Sequence, residues 1–177
     1  VCTDNYAGAL MATQFLVGRG YKKILAIQGV PQSMPSKERV RGFIDALEGS
    51  GIEYKVVGNA FSVDNGSRET MAAFVGNPKA FDAIFAFSST ILLGSISALR
   101  KLGIQVGKDI GVISYDNNGF LDFMNPPVTR VEQPLHEAGE IAIATLFAMI
   151  EAKRAGEPSP PSVQQLVRPT LIVRESC

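Results

Sequence analysis

"DIGVISYDNN", residues 109–118, is an apolar run that stops at a carboxylate followed by two amides. A short apolar run closed by turn-forming residues reads as a strand covered on both faces. Asp116 then stands at the mouth of that strand. In open parallel sheets ligands gather outside the carboxyl ends of the strands, so the carboxylate is placed where a ligand would meet it.

The same pattern extends outward in both directions. "KKILAIQGV" (residues 22–30), "YKVVG" (54–58) and "FDAIFAFS" (81–88) read as strands. Between them lie helices. "SKERVRGFIDALEGSG" places Val40, Phe43, Ile44 and Leu47 on one stripe and ends at Gly49 and Gly51. "NGSRETMAAFVGNP" begins with Asp64 or Asn65 as its cap, and "ILLGSISALRKLG" ends at Gly103. Strands that alternate with helices of this length predict an α/β fold with a doubly wound parallel sheet. Two further helices are expected, one around Tyr6–Val17 and one from Pro134 to about Lys153, the latter with Ala138, Ile141, Ala142, Thr145, Leu146 and Met149 on one stripe. "RAGEPSPPS" reads as a loop, and Pro169 within "LVRPTLIVRE" predicts an edge position or a bulge in the last strand.

Composition narrows the function classes. With 46% apolar and 19% charged residues, a 177-residue chain buries a sizeable core as one domain or two small lobes. Seventeen basic residues balance seventeen acidic ones without a run of either sign, so this segment carries no footprint for DNA. No stretch is long and apolar enough for a membrane span, and the N-terminus lacks the order of a signal peptide. Cys2 and Cys177 lie at opposite ends without metal-type spacing and read as reduced thiols. The chain begins "VCTDN" rather than with Met, which reads as a piece of something longer.

The strand ends collect a carboxylate, a guanidinium, hydroxyls and an aromatic ring. They are Asp116, Arg39, Ser88 with Ser89 and Thr90, and Phe61. That set suits a small polar ligand: a carboxylate accepts from vicinal hydroxyls, a guanidinium donates in a fork, and an aromatic ring covers the apolar face of a sugar. Each residue also has a plainer reading, Asp116 as a turn cap, Arg39 as a solvent-facing helix residue and Phe61 as core. Nothing in the set points to catalysis. The single histidine, His136, sits in the first turn of a helix beside Glu137 and reads as a surface residue. There is no G-x-S-x-G elbow, no Walker-type loop and no G-x-G-x-x-G, so neither an enzyme nor a cofactor nor a metal site is expected.

At these residues a resemblance becomes visible. "TDNYAGALMATQFLVGRGYKKILAIQG", "RVRGFIDALEGSGI", "DAIFAFSSTILLG", "DIGVISYDNN", "NPPVTRVEQPLHEAGEIA" and "LIVRESC" follow one another as they do in the effector-binding domain of the lac and gal repressor family of bacterial transcription regulators. The resemblance runs through nearly the whole chain. It implies a two-lobed fold of the periplasmic-binding-protein-like type I, here truncated, which closes on a small effector and passes that closure to a separate helix-turn-helix domain. Arg39, Phe61, Asp116 and Gln133 match family positions that face the effector, and Ser88 stands with Ser89 where the family usually has an Asn-Asp pair. It further implies a homodimer with Leu93, Phe120, Leu121, Phe123 and Met124 at the contact, DNA bound only through an N-terminal domain outside this chain, no membrane, and a cytoplasmic location. A sugar or related polar metabolite is the expected effector. The division expected is 1–20 as a remnant of the N-terminal lobe, 21–127 as the C-terminal lobe, 128–160 as crossover and helix of the N-terminal lobe, and 161–177 as a closing strand. The two terminal helices would then lack their sheet and pair with each other or with another chain. The rival reading is a periplasmic sugar-binding protein of a transport system, which shares the fold.

Overall fold

The computed structural model describes residues 1–158 and 164–177. Strands β1 (Cys2–Thr3), β2 (Lys23–Ile27), β3 (Glu53–Val57), β4 (Ala83–Ala86), β5 (Gly111–Tyr115), β6 (Thr129–Glu132), β7 (Leu166–Val167) and β8 (Thr170–Ile172) alternate with helices α1 (Asn5–Gly18), α2 (Met34–Leu47), α3 (Val63–Phe74), α4 (Ser89–Lys101) and α5 (Leu135–Ala155). The main sheet has the order β3-β2-β4-β5-β6-β8, parallel except for the last pair. β1 and β7 form a separate two-stranded parallel sheet.

Alternation along the strands builds two cores. Ile24, Ala26, Phe85, Ile113 and Tyr115 point to one face, where Ala9, Ala12 and Leu16 of α1 and Phe43 and Leu47 of α2 cover them. Leu25, Ile27, Ile84, Ala86 and Val112 point to the other, under Phe74 of α3 and Ile91, Leu92 and Leu99 of α4. Every central strand is thus apolar on both sides, as the sequence predicts.

Several expectations need correction. α1 is no remnant lacking a sheet: it packs on α2 and on the six-stranded core. Within 128–160, Thr129–Glu132 is not crossover but a strand of the main sheet, β6. α3 is capped by Ser62, whose hydroxyl accepts from the Asn65 N–H, so Asp64 lies inside the first turn and Asn65 one residue further on. The buried stripe of α2 runs through Ser36, Arg39, Gly42, Phe43 and Leu47, which leaves Ile44 exposed. Pro169 does sit at a sheet edge, and there it divides the last strand into β7 and β8 on different sheets. α5 buries none of its residues, so Leu146, Phe147 and Met149 are exposed. The end of the "RAGEPSPPS" loop, with the 160/161 boundary, lies outside the described residues. Among the described residues no helix is long and apolar enough to cross a membrane.

An ion-pair clamp closes the far side of the sheet. Between β5 and β6 a single 3-10 turn, Gly119–Phe123, carries Asp122. Both Asp122 oxygens accept from the Arg130 guanidinium of β6, at 2.9 and 3.0 Å, and Oδ1 also accepts from Arg174 Nε at 2.9 Å. Hydrogen bonds from Arg130 and Arg174 hold the Asp122 carboxyl below its usual range. A carboxyl depressed in the folded state contributes stability above its unfolded value, near pH 4, and loses it as pH falls through the folded value. The melting temperature should therefore fall on acidification below about pH 4, and Asp122→Asn should lower it at neutral pH while flattening that acid limb. An acid limb of unchanged steepness in the variant would remove the clamp from the account.

Candidate functional site

The carboxyl ends of five adjacent strands, β3, β2, β4, β5 and β6, lie along one edge of the sheet. The backbone itself marks the centre. Asp116, the residue after β5, has φ 95° and is the one non-glycine residue with positive φ among those described. A left-handed conformation of this kind costs on the order of 1–3 kcal/mol and survives where surrounding contacts hold it. Those contacts are present: the Asp116 N–H donates to the Val131 carbonyl at 3.0 Å, Oδ1 accepts from Gln133 Nε2 at 2.6 Å, and Oδ2 accepts from the Ser89 N–H at 3.2 Å. The twist turns the carboxylate out of the strand and across the rim toward Gln133, at the end of β6.

The network spreads from there. Gln133 Oε1 accepts from Thr3 Oγ1 at 2.9 Å, and Asn117 Nδ2 donates to the Gln133 carbonyl at 2.6 Å. Asn118 donates to the Ser89 hydroxyl, which also approaches Asp116. One connected set of amides and hydroxyls therefore surrounds a half-buried carboxylate that retains acceptor capacity.

Arg39 lies beneath this rim. It is 5% exposed: Nε donates to Asn5 Oδ1 at 2.8 Å, Nη1 donates to the Phe87 carbonyl, and the guanidinium lies 3.6 Å from the centre of the Tyr115 ring. Burial pushes Arg39 below the usual guanidinium value, opposed by Tyr115 and Asp116, and burial pushes the Tyr115 hydroxyl up. The solvent-facing alternative for Arg39 is excluded, yet its fork is used inside the lobe. A cavity of about 600 Å³ opens beside it, lined by Thr3, Asn5, Tyr6, Met34 and Glu38 among others.

The structure thus brings Asp116, Gln133 and Arg39 into one region. The Ser88 hydroxyl caps α4, accepting from the Ile91 N–H at 3.2 Å, and the next residue, Ser89, is the one that hydrogen-bonds Asp116. Phe61 lies in the loop after β3, with its ring over Gly29 beyond the end of β2, two strands from β5 and so about 10 Å along the edge, and it is 37% exposed rather than core. Of the expected dimer-contact residues, Leu93, Phe120 and Phe123 are exposed, the last by 90%; Leu121 is fully buried and Met124 packs on the core of its own lobe. Leu121 is core: it belongs to the same buried cluster as Val112 and Val128, and its carbonyl accepts from the Val128 N–H at 3.0 Å. His136 is exposed, with Glu140 one helical turn away at 3.5 Å.

Thr3, Asn5, Asn118 and Tyr115 were not read as site residues from the sequence. Tyr115 belongs to the same apolar run that identified Asp116, whereas Thr3 and Asn5 reach the site only through the packing of α1, which no local pattern announces.

Residues 13–177 match the family described as periplasmic binding protein-like domain. The ribose operon repressor of Escherichia coli (strain K12) is 32% identical over 151 residues, which cover 83% of this chain and 45% of that protein. The HTH-type transcriptional repressor CytR of the same organism is 31% identical over 178 residues, 98% of this chain and 50% of that one. The crystal structure of a regulatory protein of LacI family from Chloroflexus aggregans superimposes with a TM-score of 0.86 at 26% identity, covering 98% of this chain and 62% of the other. The chain spans about half the length of the curated relatives it matches. These relatives are transcription regulators rather than enzymes or transport proteins. With its doubly wound sheet and the ordered motifs along it, the chain belongs to the periplasmic binding protein-like domain family, in the form found in LacI-family regulators.

Proposed function

We propose that this chain is the effector-binding part of a cytoplasmic transcription regulator, and that a small polyhydroxylated effector, a pentose being the first candidate, is held at the rim around Asp116. The observation that carries the reading is the left-handed Asp116 itself, strained at a strand mouth and braced by Gln133 and Ser89. Backbone strain of this sort is kept where it places a functional group. Two vicinal hydroxyls of a sugar match one carboxylate, and the neighbouring amides of Gln133, Asn117 and Asn118 supply donors and acceptors around it. A repressor of the ribose operon stands among the relatives, which favours D-ribose as the first ligand to try. The β1–β7 pair and α5 stand apart from the main sheet, which supports assigning them to a second lobe. Closure of two lobes on the effector changes operator affinity only by the effector's differential affinity for the open and closed forms.

Asp116→Asn tests the anchor. Asparagine tolerates positive φ and still accepts from Gln133, while its Nδ2 meets the Ser89 N–H where the carboxylate accepted, so the variant loses the charge together with one acceptor of the rim. A lost charge-assisted hydrogen bond costs about 1.5–3 kcal/mol, so ribose affinity in the intact two-lobed protein should fall about tenfold to a hundredfold. Equal affinities by calorimetry would reject Asp116 as the anchor.

The partner proposed for the apolar face of Leu93, Phe120 and Phe123 is a second copy of the chain. Sedimentation of Phe123→Asp should show monomer at concentrations where the parent is a dimer. A parent that sediments as monomer throughout would dismiss the dimer.

A further inference from the structure

Asn65 lies outside the rim network, yet it is 1% exposed and every hydrogen-bonding site of its amide is used. Nδ2 donates to the Gln28 carbonyl at 3.0 Å and to the Ala60 carbonyl at 2.7 Å. Oδ1 accepts from the Asn59 N–H at 3.1 Å and from Arg68 Nη2 at 2.9 Å. Two donors and two lone pairs are thereby matched to four partners. The two carbonyls belong to different loops. Gln28 follows β2 and precedes Gly29; Ala60 follows β3 and precedes Phe61.

The Phe61 ring bridges the same two loops from above. A Cβ on Gly29 would fall 2.3 Å from the ring, so the ring rests directly on that backbone. Gly58 completes the arrangement. Its φ is 100°, and a Cβ there would lie 2.6 Å from the Gln28 carbonyl oxygen and 2.9 Å from Asn65 Nδ2, so only glycine lets the loop close on the amide. With this backing, Phe61 still keeps 37% of its surface exposed.

We propose that Asn65 is the positioning residue for Phe61: by tying Gln28 to Ala60 it sets the height and tilt of the ring at the rim. A ligand with an apolar ring face then meets a preformed surface and not a mobile one. That Phe61 meets the effector rests on the function proposed above, whereas the hold of Asn65 on Phe61 does not.

Asn65 is also the third residue of a helix capped by Ser62, and a purely helical role makes a different prediction. At that place in a helix an acidic side chain serves as well or better. Asn65→Asp, equal in size, still accepts from Asn59 and Arg68 but turns an oxygen toward two carbonyls. It therefore separates the two roles.

The chain contains no tryptophan, so Phe61→Trp installs a lone fluorescent reporter on the loop in question. In the 177-residue chain carrying Phe61→Trp, Asn65→Asp and Asn65→Ala should each lower the anisotropy of that tryptophan and raise its quenching by acrylamide, with unchanged far-UV circular dichroism. An Asn65→Asp chain that keeps the parent's anisotropy and quenching overturns the proposal, and if Asn65→Ala fails to fold, the aspartate variant decides alone. In the intact protein, without the tryptophan, Asn65→Asp should weaken D-ribose about tenfold, the equivalent of one to two net hydrogen bonds. A parent that does not bind ribose counts against that effector and leaves the fluorescence result standing.

Discussion

Gly94→Ala lowers the stability of the domain by about 3 kcal/mol, the upper end of what an inserted methyl group costs in a packed interior. α3 and α4 cross at reciprocal glycines. A Cβ on Gly94 would lie 1.9 Å from the Val63 carbonyl oxygen and 2.6 Å from the Ser67 nitrogen, and a Cβ on Gly66 would lie 2.0 Å from the Ile91 carbonyl oxygen. These neighbours are backbone atoms of helices already seated on Phe74, Leu92 and Leu99, so neither helix can yield without opening the core beneath it. Urea denaturation gives the measurement. A loss below about 1 kcal/mol would place the methyl group within ordinary relaxation and refute the rigid crossing. Gly66→Ala should behave alike, and the double variant should lose less than the sum, because one separation of the helices relieves both contacts.

Arg39→Ala is expected to cost a similar amount, about 3 kcal/mol, by a different route. It leaves the Asn5 amide oxygen and the Phe87 carbonyl without their donors in a buried position, at about 1–3 kcal/mol for each unsatisfied group, offset by the burial cost of the charge itself. The Tyr115 ring loses the cation that lies against it. Arg39→Lys should recover less than half, because an ammonium cannot lie flat on the ring while forking to two acceptors. Denaturation of the three chains under one buffer checks both statements. An Arg39→Lys chain as stable as the parent would show that a positive charge suffices and that the fork is irrelevant. The result also bears on function, since α1 is held to the rim through Asn5, and a loosened α1 would release Thr3 from Gln133.

Much of the fold was legible in the residues because it rests on short periods. The apolar runs around Leu25, Phe85 and Ile113 became central strands buried on both faces. The place of Asp116 at the end of β5 was legible for the same reason, since a run that ends abruptly in a carboxylate marks a strand mouth. Pro169 and Gly103 marked an edge and a helix stop by backbone chemistry alone.

The remainder depended on contacts between residues distant in the chain. The face that α2 presents was decided by α1 packing against Gly42, which rotated Arg39 inward and Ile44 outward. β6 is only four residues long and takes its place from its neighbours β5 and β8. Leu121 and Phe123 are two residues apart, yet one is core and the other bare, because a tight turn divides them between the lobe and solvent. Local periodicity and turn chemistry determined which segments are strands and helices and which edge gathers the polar groups. Which of those groups faces outward, which is spent holding its neighbours and which loop an amide such as Asn65 fastens were settled by tertiary packing, because a hydrogen bond or a buried face needs a partner that sequence proximity does not supply.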